Sequence, residues 1–140
     1  MSLPLPPFSW ENIHPILVNF TAALIPVSVF SDVAGKLFRR ESLSHAAWWT
    51  LLFAAAVTPA TVLAGWFWKR AIGPALPSDV IAIHQCLGIS LGVAFVIQAL
   101  WRGLLHQRSE RPGLSYLLLA TLVLAALLYQ GHLGGSMTFG

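Results

Sequence analysis

Charge is scarce in this sequence. Of 140 residues only 9% are Asp, Glu, Lys or Arg, while 56% are hydrophobic. Soluble domains carry about a quarter charged residues, so an ordinary globular fold is excluded. Cysteine is nearly absent too. Cys86 stands alone, which rules out an intrachain disulfide, a four-cysteine zinc site and a self-contained iron–sulfur cluster. No CxxCH is present, so no covalently attached c-type haem is expected. Eight Lys and Arg against five Asp and Glu give a net charge of +3, too little among so many apolar residues for a polyanion groove. No nucleic-acid partner is expected. Carboxylates are missing from the middle of the apolar runs: Asp32 and Glu41 lie near one boundary, Glu11 and Asp79 near the other, and Glu110 in a loop. A proton pump or ion-coupled transporter would place one at mid-depth, so those classes lose ground. The opening Met1-Ser2-Leu3-Pro4 has no basic segment and no cleavage site, and no removable signal peptide is expected. Internal repeats are lacking as well.

What is present is four apolar runs, at about residues 13–35, 45–68, 80–101 and 114–133. Each reaches the roughly 20 helical residues needed to cross a hydrocarbon layer of about 30 Å. Short loops make neighbouring spans antiparallel. The expected fold is therefore all-α: a single transmembrane domain over residues 1–140, built as an up-down four-helix bundle in contact with membrane lipids. Pro15 sits in the first turn of span one, where its missing N–H costs nothing. Ser42 or Ser44 is an expected N-cap for span two, and Ser78 or Asp79 for span three. Pro112-Gly113 opens span four and Gly134-Gly135 is expected to close it, while Pro26 and Pro59 predict kinks. Lys36, Arg39, Arg40, Arg102, Arg108 and Arg111 fall on the side of the 1–2 and 3–4 loops, against only Lys69 and Arg70 on the other. By the positive-inside rule both termini are periplasmic, in a bacterial inner (cytoplasmic) membrane.

The histidines equal the acids in number, five of each. His14, His84 and His132 lie 22, 18 and 21 residues from the basic residues Lys36, Arg102 and Arg111. At about 1.5 Å of rise per residue all three fall within roughly one turn of a common depth. Three spans thus deliver imidazoles to one layer near the outer surface. Gly88 and Gly92 follow His84 on its own helical face, and Gly131, Gly134 and Gly135 surround His132. Such glycines can clear a strip for a flat macrocycle, although GxxxG is also a common helix-packing device. Two neutral imidazoles on facing helices are the usual axial pair of a b-type haem, and an apolar bundle supplies the dry pocket. The residues thus point to one haem b with His84 and His132 as axial ligands, and His14 as the alternative ligand or a propionate partner. Its cofactor groove would include Gly88, Gly92 and Gly131.

Other readings stay open. The same three histidines could hold copper or zinc, although only Glu11 and Asp79 are near enough to orient the rings. Interfacial histidines bonded to water or carbonyls are the plainest alternative, as is a non-redox anchor or assembly subunit. A second haem between His45 and His106, at the opposite surface, is disfavoured because His106 lies among loop charges and Gln98 occupies the deeper ligand position of span three. Trp10, Trp66 and Trp68 near one face, with Trp48, Trp49 and Trp101 near the other, form the usual two interfacial belts. Tyr129 and Gln130 could meet a quinone carbonyl.

Several blocks resemble a known family. His14-Pro15-Ile16-Leu17-Val18-Asn19-Phe20, Ala64-Gly65-Trp66, His84-Gln85-Cys86-Leu87-Gly88 and Gly131-His132-Leu133-Gly134-Gly135 resemble the HPxxVHF opening, middle blocks and GHLGGxLTHG closing segment of the bacterial DUF2231 four-helix membrane proteins. His14, His84 and His132 match that pattern. Asn19 and Phe139 stand where members usually carry further histidines. Some members are fused to or neighbour c-type cytochrome modules, so the resemblance is compatible with electron transfer. The expected function is a membrane cytochrome-like electron-transfer subunit rather than a free-standing enzyme. It would pass electrons between a quinone and a periplasmic c-type cytochrome or a larger multi-subunit complex.

Overall fold

The computed structural model describes residues 13–72 and 78–139. Four helices account for nearly all of them: α1 Ile13–Leu37, α2 Glu41–Ile72, α3 Ser78–Gln107 and α4 Leu114–Phe139. No strand occurs among the described residues. All four helices are long and apolar enough to cross a membrane. Each helix packs on its chain neighbours, and α1 also packs on α4, which closes a ring in the order α1-α2-α3-α4. Lys36 Nζ donates to the Pro112 carbonyl at 2.9 Å and ties the end of α1 to the start of α4.

The helices run past the expected spans, and caps explain part of the difference. Glu41 rather than Ser42 or Ser44 opens α2, where a carboxylate in the first turn complements the positive end of the helix dipole. Both serines are helical, and Ser44 is used elsewhere. Asp79 plays the corresponding part in the first turn of α3. Gly134-Gly135 does not end α4, which continues to Phe139. In an apolar medium a helical N–H or C=O has no water to turn to, so glycine breaks a helix far less readily there. Pro26 and Pro59 both lie within continuous helices.

Two turns share one end of the bundle and one geometry. Arg39 and Ser109 both adopt φ 54°. The following amides reach back to close each helix: Arg40 N–H donates to the Gly35 carbonyl at 3.1 Å, and Glu110 N–H to the Leu105 carbonyl at 2.9 Å. This is a left-handed C-cap made without glycine. These turns carry Lys36, Arg39, Arg40, Arg108 and Arg111, and we call this the basic end.

The interior is small and the exterior large. Ala47, Ala54, Ala55, Ala99 and Ala120 are buried, whereas Phe20, Phe30, Phe53, Leu100 and Leu122 are exposed. Only 17–33% of each span's apolar window is buried, so most of the hydrophobic surface faces outward. Such a surface would aggregate in water and is stable only against lipid. Ile25, Leu51, Leu91, Phe95, Leu117 and Leu124 form the packed centre between the two polar layers described next.

Candidate functional site

Among the described residues, the ionisable side chains turned into the bundle lie at two depths. The first layer lies at the end opposite the basic turns and contains two of the three predicted histidines. His14 enters from α1 against α2, where Gly65 makes room for it: a Cβ on Gly65 would lie 2.8 Å from His14 Cε1. His14 Nδ1 is 3.0 Å from the Thr61 carbonyl. A carbonyl oxygen can only accept, so Nδ1 carries the proton and the Nε2 lone pair is left free. Trp68 covers the ring, with centroids 5.7 Å apart.

His84 enters from α3 against α4. Gly134 serves it as Gly65 serves His14, since a Cβ there would lie 3.2 Å from His84 Cε1. Gln130 Nε2 donates to the His84 backbone carbonyl at 2.9 Å and fixes the local register of α3 on α4. His84 Nδ1 is buried and, among the described residues, has no hydrogen-bond partner. Leaving such an atom unmet costs about 1–3 kcal/mol. The two imidazoles lie against different helices, His14 on α2 and His84 on α4. They come from α1 and α3, which stand diagonally across the ring, so both reach in from opposite corners.

His132 does not join them. Gln130 and Gly134, four residues apart, share the face of α4 turned towards α3. His132 lies midway between them, roughly 200° around the helix from each, and is exposed. Gly131 is exposed as well, with open space where a Cβ would be. Gly88 and Gly92 are occupied by protein: Gln130 Nε2 lies 3.0 Å from a Cβ position on Gly88, and Thr58 Cγ2 lies 3.2 Å from one on Gly92. Of the two roles weighed for these glycines, the contacts in place are those of helix packing.

The second layer lies nearer the basic end and escaped the sequence reading. Arg102, counted above among the loop charges, sits within α3 and is only 1% exposed. Its Nη2 donates to Asp32 Oδ1 at 3.0 Å and its Nε to Asp32 Oδ2 at 3.1 Å. Nη2 also donates to the Ser44 carbonyl at 3.0 Å and to Ser44 Oγ at 2.7 Å. One guanidinium thereby joins α1, α2 and α3, in the planar fork geometry that arginine offers and lysine does not. Four basic residues remain on the loops at this end and Lys36 in the last turn of α1, so the charge asymmetry survives the loss of Arg102. The signal was present in the sequence: an acid in span one and a base in span three at matching depth.

Outside that layer an open cleft of about 220 Å³ is lined by Glu41, Ser44, His45, Arg102, His106 and the α3–α4 turn residues Ser109, Glu110 and Arg111. His45 and His106, expected at this surface, are brought edge to face with ring centroids 5.5 Å apart. Trp48 stacks on His106 at 5.4 Å and reaches it by passing over Gly103, where a Cβ would lie 3.2 Å from Trp48 Cη2.

Comparison with known proteins gives a family and no closer relative. Neither the curated proteins nor the solved structures contain a match to the chain. The family model described as "Predicted membrane protein (DUF2231)" matches residues 11–140, and the chain belongs to that family.

Proposed function

We propose that this membrane protein is an electron-transfer subunit holding one b-type haem between His14 and His84. The observation that carries the reading is the buried, unpartnered Nδ1 of His84, in the same layer as an imidazole whose free nitrogen is set by the Thr61 carbonyl. A ligand that accepts a nitrogen lone pair would satisfy both rings. The apolar bundle suits a flat, hydrophobic group with few polar atoms. When bound, haem supplies a one-electron couple whose potential depends on burial and on hydrogen bonds to its axial ligands.

The chain's own residues have definite tasks in this scheme. The Thr61 carbonyl holds the His14 ring in one tautomer and makes it a stronger donor through Nε2. Gly65 and Gly134 let the two rings sit against helix backbone. Trp68 shields His14 from the membrane surface. Exposed His132 and Tyr129 lie on the outer side of α4, where a quinone or a periplasmic redox partner could approach.

The test is a reduced-minus-oxidised spectrum of detergent-purified protein with a pyridine haemochrome assay. A Soret and α-band lost in His14→Ala and in His84→Ala, but kept in His132→Ala, is the expected result. Loss in His132→Ala with retention in His14→Ala would restore the His84–His132 pair. Metal content without a chromophore would place copper or zinc on the same imidazoles. Neither chromophore nor metal at these residues would leave an anchoring or assembly subunit.

A further inference from the structure

The cleft at the basic end has no part in the haem reading, yet it gathers the donors of another kind of site. We propose that His45, His106 and Glu41 bind a zinc-type divalent transition-metal ion at this surface. An imidazole nitrogen lies roughly 1.15 Å from its ring centre and Zn–N is about 2.0–2.1 Å, so two rings on one tetrahedral zinc have centres roughly 5.2 Å apart. The centroids of His45 and His106 are 5.5 Å apart. A carboxylate oxygen and an imidazole nitrogen sharing such an ion are roughly 3.4 Å apart. Glu41 Oε1 stands 3.6 Å from His45 Nε2.

The spacing arises from the fold. Glu41 and His45 are one turn apart on α2, and His106 is carried by the last turn of α3, the neighbour of α2 in the ring. Trp48 stacked on His106 limits how that ring can turn. Among the described residues no three such side chains already converge on one point. Closing the set takes a rotation of the Glu41 side chain, which is 84% exposed and free to make it. Glu110, or water from the open cleft, completes the fourth position.

Arg102 is neutralised by Asp32, and Glu41 and Glu110 set two carboxylates beside Arg111 in the lining of the cleft, within an end that is otherwise basic. Two imidazoles and a carboxylate are a donor set that zinc takes with an open position, whereas magnesium and calcium prefer oxygen alone.

The experiment is calorimetric titration of the purified protein with zinc chloride, repeated with cobalt to read coordination from its visible bands. The wild type should bind one ion through this site, with tetrahedral cobalt bands. His45→Ala and His106→Gln should each weaken binding about 100-fold or more, since even outer-shell losses cost 10–100-fold. Glu41→Gln, at an exposed position, should weaken it and alter the cobalt bands. A His14→Ala/His84→Ala protein should bind as the wild type does, which separates this site from the haem layer. Absence of zinc binding by the wild type, binding unchanged in His45→Ala and Glu41→Gln, or loss only in the His14/His84 variant would overturn the proposal.

Discussion

The Asp32–Arg102 pair offers the sharpest energetic test of the fold. Both side chains are 2% exposed, so each charge is almost wholly withdrawn from water although Arg102 borders the open cleft. Asp32→Ala leaves a buried guanidinium with only Ser44 to accept from it. Arg102→Met leaves a buried carboxylate. Breaking a buried pair from one side costs about 3–5 kcal/mol, most of it the desolvation of the charge left behind. The two singles should nevertheless differ. A stranded carboxylate can shed its charge by taking up a proton, whereas a guanidinium cannot, so Asp32→Ala should lie at the upper end of that range and Arg102→Met at the lower. The double variant removes both charges and should cost less than either single, so the coupling energy should exceed the cost of the larger single, about 5 kcal/mol. Reversible unfolding in mixed micelles with increasing SDS, followed by helical circular dichroism, measures all four proteins. Two single costs that add to the double within about 0.5 kcal/mol would refute the argument, as would a larger penalty for Arg102→Met than for Asp32→Ala.

Three further outcomes are expected from the same unfolding assay. Gly65→Ala places a methyl 2.8 Å from His14 Cε1 and should destabilise by about 1–3 kcal/mol, with Gly134→Ala milder and Gly131→Ala, which meets open space, neutral. Arg39→Gly and Ser109→Gly relieve a positive φ and should each stabilise by up to about 1 kcal/mol. Phe95→Ala, at 1% exposure, should cost about 2 kcal/mol, while Phe30→Ala, exposed at mid-helix, should change little. The first figure lies below the roughly 3–5 kcal/mol of soluble cores because lipid removes the transfer contribution and leaves the cavity.

Depth along each helix was legible in the sequence, and rotation about it was not. Counting residues from the basic loops placed His14 and His84 in one layer, and the structure sets them in the parts of α1 and α3 away from the basic turns. The same counting gave His132 the same depth and could not show that it turns outward. In water the apolar face of a helix marks the inside, but here every face is apolar, so hydrophobicity gives no bearing. The usable signal for α4 was polar and small residues, Gln130 and Gly134, at a spacing of four. Arg102 was misplaced for a related reason. The positive-inside rule treats a base near a helix end as a loop charge, and it cannot see a partner on another span. Likewise His45 and His106 were both assigned to one surface, yet only the ring order that makes α2 and α3 neighbours sets their rings side by side.

The two matched turns divide the chain into hairpins, α1–α2 and α3–α4, and that division bears on how the protein is made. During synthesis the first hairpin reaches the bilayer before the second exists. It arrives with Asp32 and Ser44 in place and without the guanidinium that answers them. Arg102 comes with the second hairpin, as His84 does for His14 and His106 for His45. Each polar layer, and the cleft beyond, thus straddles the seam between halves. An early half-protein carries an unanswered charge, and docking of the late half supplies its partner together with His84 and His106.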